Sequence, residues 1–445
     1  TGGPKPPTSR TWQVSSISHA HRRTIAAAVI GNLLEWFDFI VYALLAGILF
    51  KLFFPANDPM TSILLGFGTF GIAFLVRPIG GFVLGTYADR HGRRKALSIT
   101  FIIMAAATTM VAILPTYAAI GFAAPVLLVT CRMLQGFSAG GEFGNATAVL
   151  IENAPNNLKG LFGSLQMCSQ ALAVLMAATI IFLLSYNLDA EDFENWGWRL
   201  PFLIGALLGP IGLHIRSRMT ESDEFKAADA SVARPLSMLA RNHWTQLLAT
   251  VGLFAAITAP NYVNSVYLPG VAVLKHGLSQ ADIMAGVLLA AAMMTLLVPL
   301  FGWLSDRWTR RAVAIGGMAA MLPVYAATFL MFSGNPGKGT FAVMQALYAI
   351  PYAAFAGAAC TLALERFPVV VRATGGSTGY NVATAIFGGM APFWLAFAEN
   401  MSGSALAPLA YVALTMGLGI VAAIVIGRAD GPRPDTAREW TKASA

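Results

Sequence analysis

The chain has 445 residues, 56% of them hydrophobic and only 11% charged, with a mean hydropathy of +0.65. Soluble globular proteins carry about 25% charged residues, so the composition excludes a water-soluble enzyme or binding domain. The formal net charge of +8 must then be explained within a membrane protein, not by a nucleic-acid partner.

In chain order the apolar runs predict membrane spans at residues 24–53, 61–87, 96–114, 121–150, 160–187 and 199–215, then 244–272, 280–303, 312–333, 340–364, 374–399 and 405–428. Each is long enough to cross, or nearly cross, a hydrocarbon layer of about 30 Å. Backbone groups in lipid must be paired within the segment, so such runs are helices, and the alternating pattern of barrel strands is absent. The expected fold class is therefore an all-α polytopic membrane protein of twelve helices. Residues 1–23, 216–243 and 429–445 are hydrophilic and are expected to form an N-terminal tail, a central loop and a C-terminal tail. They flank and divide six-helix bundles at 24–215 and 244–428. No signal peptide is expected, because the first apolar run is too long for one. Cys131, Cys168 and Cys360 are dispersed in apolar runs, which predicts neither a disulfide nor a metal site.

Lys and Arg crowd into alternate loops: the N-terminal segment, the loops after the second and eighth spans, the central loop and the C-terminal tail. The other side holds only Lys51, Arg199, Lys275 and Lys338, together with the acidic run Asp189, Glu191, Asp192 and Glu194. The positive-inside rule then puts both termini in the cytoplasm. After the second span the chain reads Gly85-Thr-Tyr-Ala-Asp89-Arg90-His-Gly-Arg93-Arg94, and 217 positions later Gly302-Trp-Leu-Ser-Asp306-Arg307-Trp-Thr-Arg310-Arg311. A second echo, at an offset of 213, joins Glu152-x-x-Pro155-x-x-x-Lys159 to Glu365-x-x-Pro368-x-x-x-Arg372. Both copies fall on the same side, so the halves are parallel six-helix repeats, a transporter architecture.

The Gly-x-x-x-Asp-Arg-x-Gly-Arg-Arg pattern with its decayed copy resembles the signature of the major facilitator superfamily. Four further segments resemble its metabolite:proton symporter family, whose members carry citrate, 2-oxoglutarate, shikimate or proline and betaine. They are Gly31-Asn-Leu-Leu-Glu35-Trp36-Phe37-Asp38-Phe39, Arg77-Pro78-Ile79-Gly80-Gly81, Arg132-Met-Leu-Gln135-Gly136-Phe137-Ser138-Ala-Gly140-Gly141-Glu142 and Trp196-Gly197-Trp198-Arg199-Leu-Pro201-Phe202. The resemblance implies a cytoplasmic gating latch built from Gly85, Asp89, Arg90, Arg93 and Arg94 and repeated at Asp306, Arg307, Arg310 and Arg311. Trp308-Thr309 stands where the first copy has His-Gly, so the second latch is expected to be looser.

Ionisable groups inside spans cost about 2.5–3.5 kcal/mol on insertion scales and mark function by default. Five lie well inside: Glu35, Asp38, Arg77, Arg132 and Glu142, all in the first half. Glu35 and Asp38 share a helix face, and two carboxylates so close in a dry setting do not both ionise readily. Arg132 has a similar depth in the fourth span, so an Asp38–Arg132 pair is geometrically reasonable. It reads either as a proton-coupling device that frees a guanidinium fork for a substrate carboxylate or as an ion pair fixing two helices. Glu142 is expected near the cytoplasmic end, closing the gate through helix ends or Arg90. Arg77 is expected in the inner third of its span, snorkelling or lining a vestibule.

Substrate contacts are expected from Arg132, Arg77, Gln166, Gln170, Asn261, Tyr262, Tyr352, Tyr380 and Asn381, with Gln166 and Gln170 bonding substrate or each other. His214 and His243 are expected to be solvated. No nucleophile–base or metal motif is present, so an enzyme is not expected. The function read from the residues and the resemblance together is proton-coupled uptake of a small organic acid by alternating access. A zwitterion symporter and a proton-driven exporter are the alternatives. The expected setting is the bacterial-type inner membrane, with protons as coupling ion, no cofactor, the lipid bilayer as surroundings and a monomer as the working unit.

Overall fold

A computed structural model describes residues 19–55, 59–91, 93–217, 239, 241–334, 337–392, 394–395 and 407–428. The hydrophilic tails and most of the central loop lie outside the described residues. Twelve long helical segments follow one another: α1 His19–Leu44, α2 Pro59–His91, α3 Arg93–Ile113, α4 Ala123–Gly140 with Glu142–Glu152, α5 Lys159–Asn187 and α6 Arg199–Ser217. The second half comprises α7 Trp244–Tyr262, extended by Val263–Tyr267 and Leu268–His276, α8 Gln280–Arg307, α9 Arg310–Ser333, α10 Lys338–Leu364, α11 Val369–Ala383 with Thr384–Gly388, and α12 Ala407–Arg428. Among the described residues eight of these are long and apolar enough to span a membrane by length and composition alone. The other four include α2 and α4, which carry the buried charges Arg77, Arg132 and Glu142.

Two boundaries differ instructively from expectation. α11 begins at Val369, not 374, because the charge of Arg372, which reads as a loop signal, is neutralised inside the fold by Glu152 at 3.3 Å. α4 is interrupted at Gly141. His243, expected in solvent, is partly covered at the head of α7, and burial lowers its imidazole below the ordinary value.

Within the first half α2 packs on α4, α3 on α6 and α1 on α5; the halves meet along α5–α8 and α2–α11. The α2–α4 crossing is backbone on backbone. A side chain on Gly80 would strike the Phe137 carbonyl, one on Gly136 the Ala73 carbonyl, and one on Gly140 the Arg77 carbonyl. Close helix approach of this kind is what small residues permit in membranes, where van der Waals contact replaces the hydrophobic effect.

π-helical turns widen α7 at Val263–Tyr267 and α11 at Thr384–Gly388, a distortion often found at functional sites. Pro260, lacking an N–H, precedes the first, and its own carbonyl accepts from the Tyr325 hydroxyl at 2.6 Å. These turns follow directly on Tyr262 and lie just beyond Tyr380 and Asn381, the side chains that face the first half.

Candidate functional site

At the junction of the halves two guanidiniums are buried against aromatic rings. Arg77, 1% exposed at the middle of α2, lies 4.5 Å from the ring centres of both Phe39 and Phe74 and 5.4 Å from that of Trp36. Arg132, fully buried, lies 4.0 Å from the Tyr42 ring and 4.9 Å from that of Phe39. Phe39 thus contacts both cations, using the negative face of its π-system. Of the two readings open for Arg77, snorkelling or lining a vestibule, the first does not fit: its head is covered by three rings at the middle of α2, not its inner third.

The second half contributes an aromatic wall. Tyr262 meets Phe74 edge-on at 5.2 Å, Tyr380 stacks on Phe143 at 3.7 Å, and Tyr348 and Tyr352 lie 5.1 Å apart. Tyr262, Tyr352 and Tyr380 are all buried, and Asn261 is half-buried with its carbonyl accepting from Ser265. Asn381 donates to the Gly140 carbonyl at 2.6 Å, tying α11 to the interruption in α4.

The carboxylates are arranged differently from expectation. Glu35 and Asp38 are both buried, at 3% and 5% exposure, but Asp38 does not pair directly with Arg132. Its Oδ2 accepts from the Thr108 hydroxyl of α3 at 2.8 Å, Thr108 accepts from Gln135 Nε2 at 3.0 Å, and Gln135 Oε1 accepts from Arg132 at 2.8 Å. Two neutral side chains therefore stand between carboxylate and guanidinium. Gln166 and Gln170 do not bond each other: Gln166 donates to Asn32 at 2.8 Å and joins α5 to α1, while Gln170 Nε2 is buried without a hydrogen-bond partner. Glu142, at the start of the second segment of α4, accepts from Thr100 at 3.3 Å.

The side chains of Gly85, Asp89, Arg90, Arg93 and Arg94, at the α2–α3 junction, lie outside the described residues. The second copy is closed. Asp306 accepts from the backbone N–H groups of Gly160 and Leu161 at 2.7 and 2.9 Å, the site a helix N-terminus offers to an anion. Arg310 bridges Asp306 and Glu365, each at 3.1 Å. Thr309 caps α9 by accepting from Ala312 N–H at 3.1 Å, so the residue replacing glycine forms a cap there. Arg307 lies over the Trp303 ring at 3.7 Å, and Arg311 is half-buried. Opposite, Glu152 of α4 meets Arg372 of α11, and Gly144 lets the Ala373 carbonyl and Ser377 approach.

Sequence reasoning assigned no role to Thr108, Gln135, Glu152, Glu365 or Arg372. The 213-residue echo of Glu152 in Glu365 was a usable signal, and Gln135 stands three residues from Arg132 on the same helix face. Charge-assisted hydrogen bonds contribute about 1.5–3 kcal/mol, so Asp306→Asn, whose one acceptor oxygen cannot serve both N–H groups and which removes the charge facing Arg310, is expected to favour opening at this end at least about tenfold. A water-soluble maleimide reacting with Ser377→Cys, a buried position between α4 and α11, reads that opening. Equal labelling in both backgrounds contradicts the latch.

A two-half helical bundle with a buried, charged and aromatic junction is the scaffold of a membrane transporter. The chain belongs to the Major Facilitator Superfamily, whose family model matches residues 30–392. It is 34% identical over 409 residues to the citrate-proton symporter of Klebsiella pneumoniae, covering 92% of each chain. It is 32% identical over 417 residues to the proline/betaine transporter of Salmonella typhimurium, covering 91% of this chain and 83% of that protein. The fold matches the proton:xylose symporter XylE with a TM-score of 0.74 at 18% identity, over 93% of this chain and 97% of that one.

Proposed function

We propose that the chain is a proton-coupled symporter importing a small organic acid, with Asp38 as proton carrier and Arg77 and Arg132 as the carboxylate-binding cations. The supporting observation is the pair of buried guanidiniums flanking Phe39. Buried charge of one sign is costly until an opposite charge enters, and among the described residues no carboxylate forms an ion pair with Arg77. A substrate carboxylate fits a planar fork with bidentate geometry. Transport of citrate by a relative of 34% identity points to the same class. The setting is the inner membrane with both termini cytoplasmic, the Asp306 latch closing the cytoplasmic side. The protein works as a monomer, and Gln170, Asn261, Tyr262, Tyr352, Tyr380 and Asn381 face or frame the substrate.

A second reading, symport of a zwitterion, draws on the wall formed by Tyr262, Tyr352 and Tyr380, since aromatic faces suit quaternary ammonium groups. Uptake of radiolabelled citrate and of radiolabelled betaine into proteoliposomes, each with and without an imposed pH gradient, separates the two. Gradient-dependent accumulation of citrate is expected. Accumulation of betaine alone transfers the assignment to the zwitterion, and accumulation indifferent to the gradient removes proton coupling.

A further inference from the structure

The Asp38–Thr108–Gln135–Arg132 chain crosses three helices, and each of its four members is at least 95% buried. A guanidinium has only donors and an ionised carboxylate only acceptors, whereas a hydroxyl and an amide have both. The two neutral members are therefore the kind of group able to relay polarity between the charged ends. Reversing the Gln135 amide would set its NH2 against the Arg132 N–H, so the direction of every bond is fixed, and each points toward Asp38.

The other carboxylate oxygen, Oδ1, is buried and has no hydrogen-bond partner among the described residues. It faces Gly205 of α6, where any side chain would collide with it. The Asp38 carboxylate thus faces α3 and α6, while Arg132 lies with Tyr42 and Phe39 beside the junction of the halves. Among the described residues Glu35 and Tyr42 lie one turn to either side of Asp38 on its own helix, Arg132 of α4 is joined to it only through Gln135 and Thr108, and α6 brings Gly205.

We infer that Thr108 and Gln135 are positioning residues that couple a proton site at Asp38 to an anion site at Arg132, with Gly205 leaving Oδ1 open to receive the proton. The inference rests on the reading of Asp38 as proton carrier. A proton added at Oδ1 removes the negative charge that strengthens and orients the Thr108 bond at Oδ2, and so weakens that bond. Thr108 and Gln135 are then released, and the Arg132 N–H turns to an incoming carboxylate. In the opposite sense, a carboxylate that draws Arg132 away loosens the relay and weakens the donor to Asp38. A buried charge with a poorer donor is relieved by taking up a proton. The coupling is reciprocal, as linkage requires.

The test compares Thr108→Val, which removes the hydroxyl at nearly constant shape, with Thr108→Ser, which keeps it. Thr109→Val is the control, because the Thr109 hydroxyl is spent on the Ala105 carbonyl of its own helix. Radiolabelled citrate is followed in proteoliposomes, as counterflow without a pH gradient and as accumulation with one. Thr108→Val is expected to lower accumulation by about fivefold or more relative to counterflow, the low end of a typical coupling free energy. Thr108→Ser restores accumulation, and Thr109→Val resembles the wild type. Wild-type accumulation by Thr108→Val, or equal loss of counterflow and accumulation in the Val and Ser variants, overturns the relay.

A readout without substrate separates this from failure of the symport reading. The infrared carbonyl band of protonated Asp38, assigned by its loss in Asp38→Asn, is titrated in purified protein. Its appearance is expected to move along the pH axis in Thr108→Val but not in Thr108→Ser. An unmoved band sinks the relay even if citrate is not the substrate. A moved band in a protein that accumulates no citrate retains the relay and rejects the substrate.

Discussion

Asp38→Asn is expected to abolish gradient-driven accumulation while leaving exchange across the membrane in place. The amide oxygen of asparagine still accepts from Thr108, so the α1–α3 contact persists, but the side chain cannot take a proton. One pH unit is worth about 1.36 kcal/mol per proton, so a two-unit gradient supports about 100-fold accumulation for one proton carried. In the variant that ratio falls to one. Parallel assays of accumulation and counterflow in proteoliposomes decide the matter. A variant that accumulates like the wild type removes Asp38 from the coupling step and directs attention to Glu35.

Arg132→Lys is the second large effect. Lysine keeps the charge but replaces a planar fork with a point donor. It cannot at once bond Gln135, lie across Tyr42 and present two N–H groups to a carboxylate. Loss of one charge-assisted bond, about 1.5–3 kcal/mol, corresponds to about 10–150-fold weaker binding. Because ligands that bind the folded state raise its apparent stability, thermal-shift titration of purified protein with citrate measures the change directly. Unchanged affinity in Arg132→Lys, with loss in Arg77→Lys, assigns the carboxylate to Arg77 alone.

The helices were legible because lipid forces each spanning segment to pair its own backbone groups, so hydropathy reports the element directly. The repeat was legible because Asp306, Arg307, Arg310 and Arg311 keep both residue type and spacing. The start of α11 was not, because a charge compensated by a distant partner looks like a charge in water until the partner is known. The charged members of the site announced themselves by cost, since Asp38 and Arg132 have no ordinary reason to be in an apolar run. Thr108 had no such mark. Thr108 and Thr109 look alike in the sequence, yet the hydroxyl of Thr109 bonds a carbonyl of its own helix and that of Thr108 reaches Asp38. Helical phase and the neighbouring helix decide between them, and neither is written locally.

The backbone contact at Gly80, Gly136 and Gly140 has a mechanical consequence. At these three points no side chain stands between α2 and α4, so nothing there can repack and the two helices move as a single stiff plank. Both members of that plank touch α11, α2 at Gly81 beside Asn381 and α4 through Asn381, Ser377 and Arg372. A tilt that parts α4 from α11 at the Glu152 end must carry α2 with it, pressing its far portion toward the opposite mouth. In the proposed transport cycle, opening one mouth then shuts the other by leverage, with the three glycines as the weld that keeps both from standing open together.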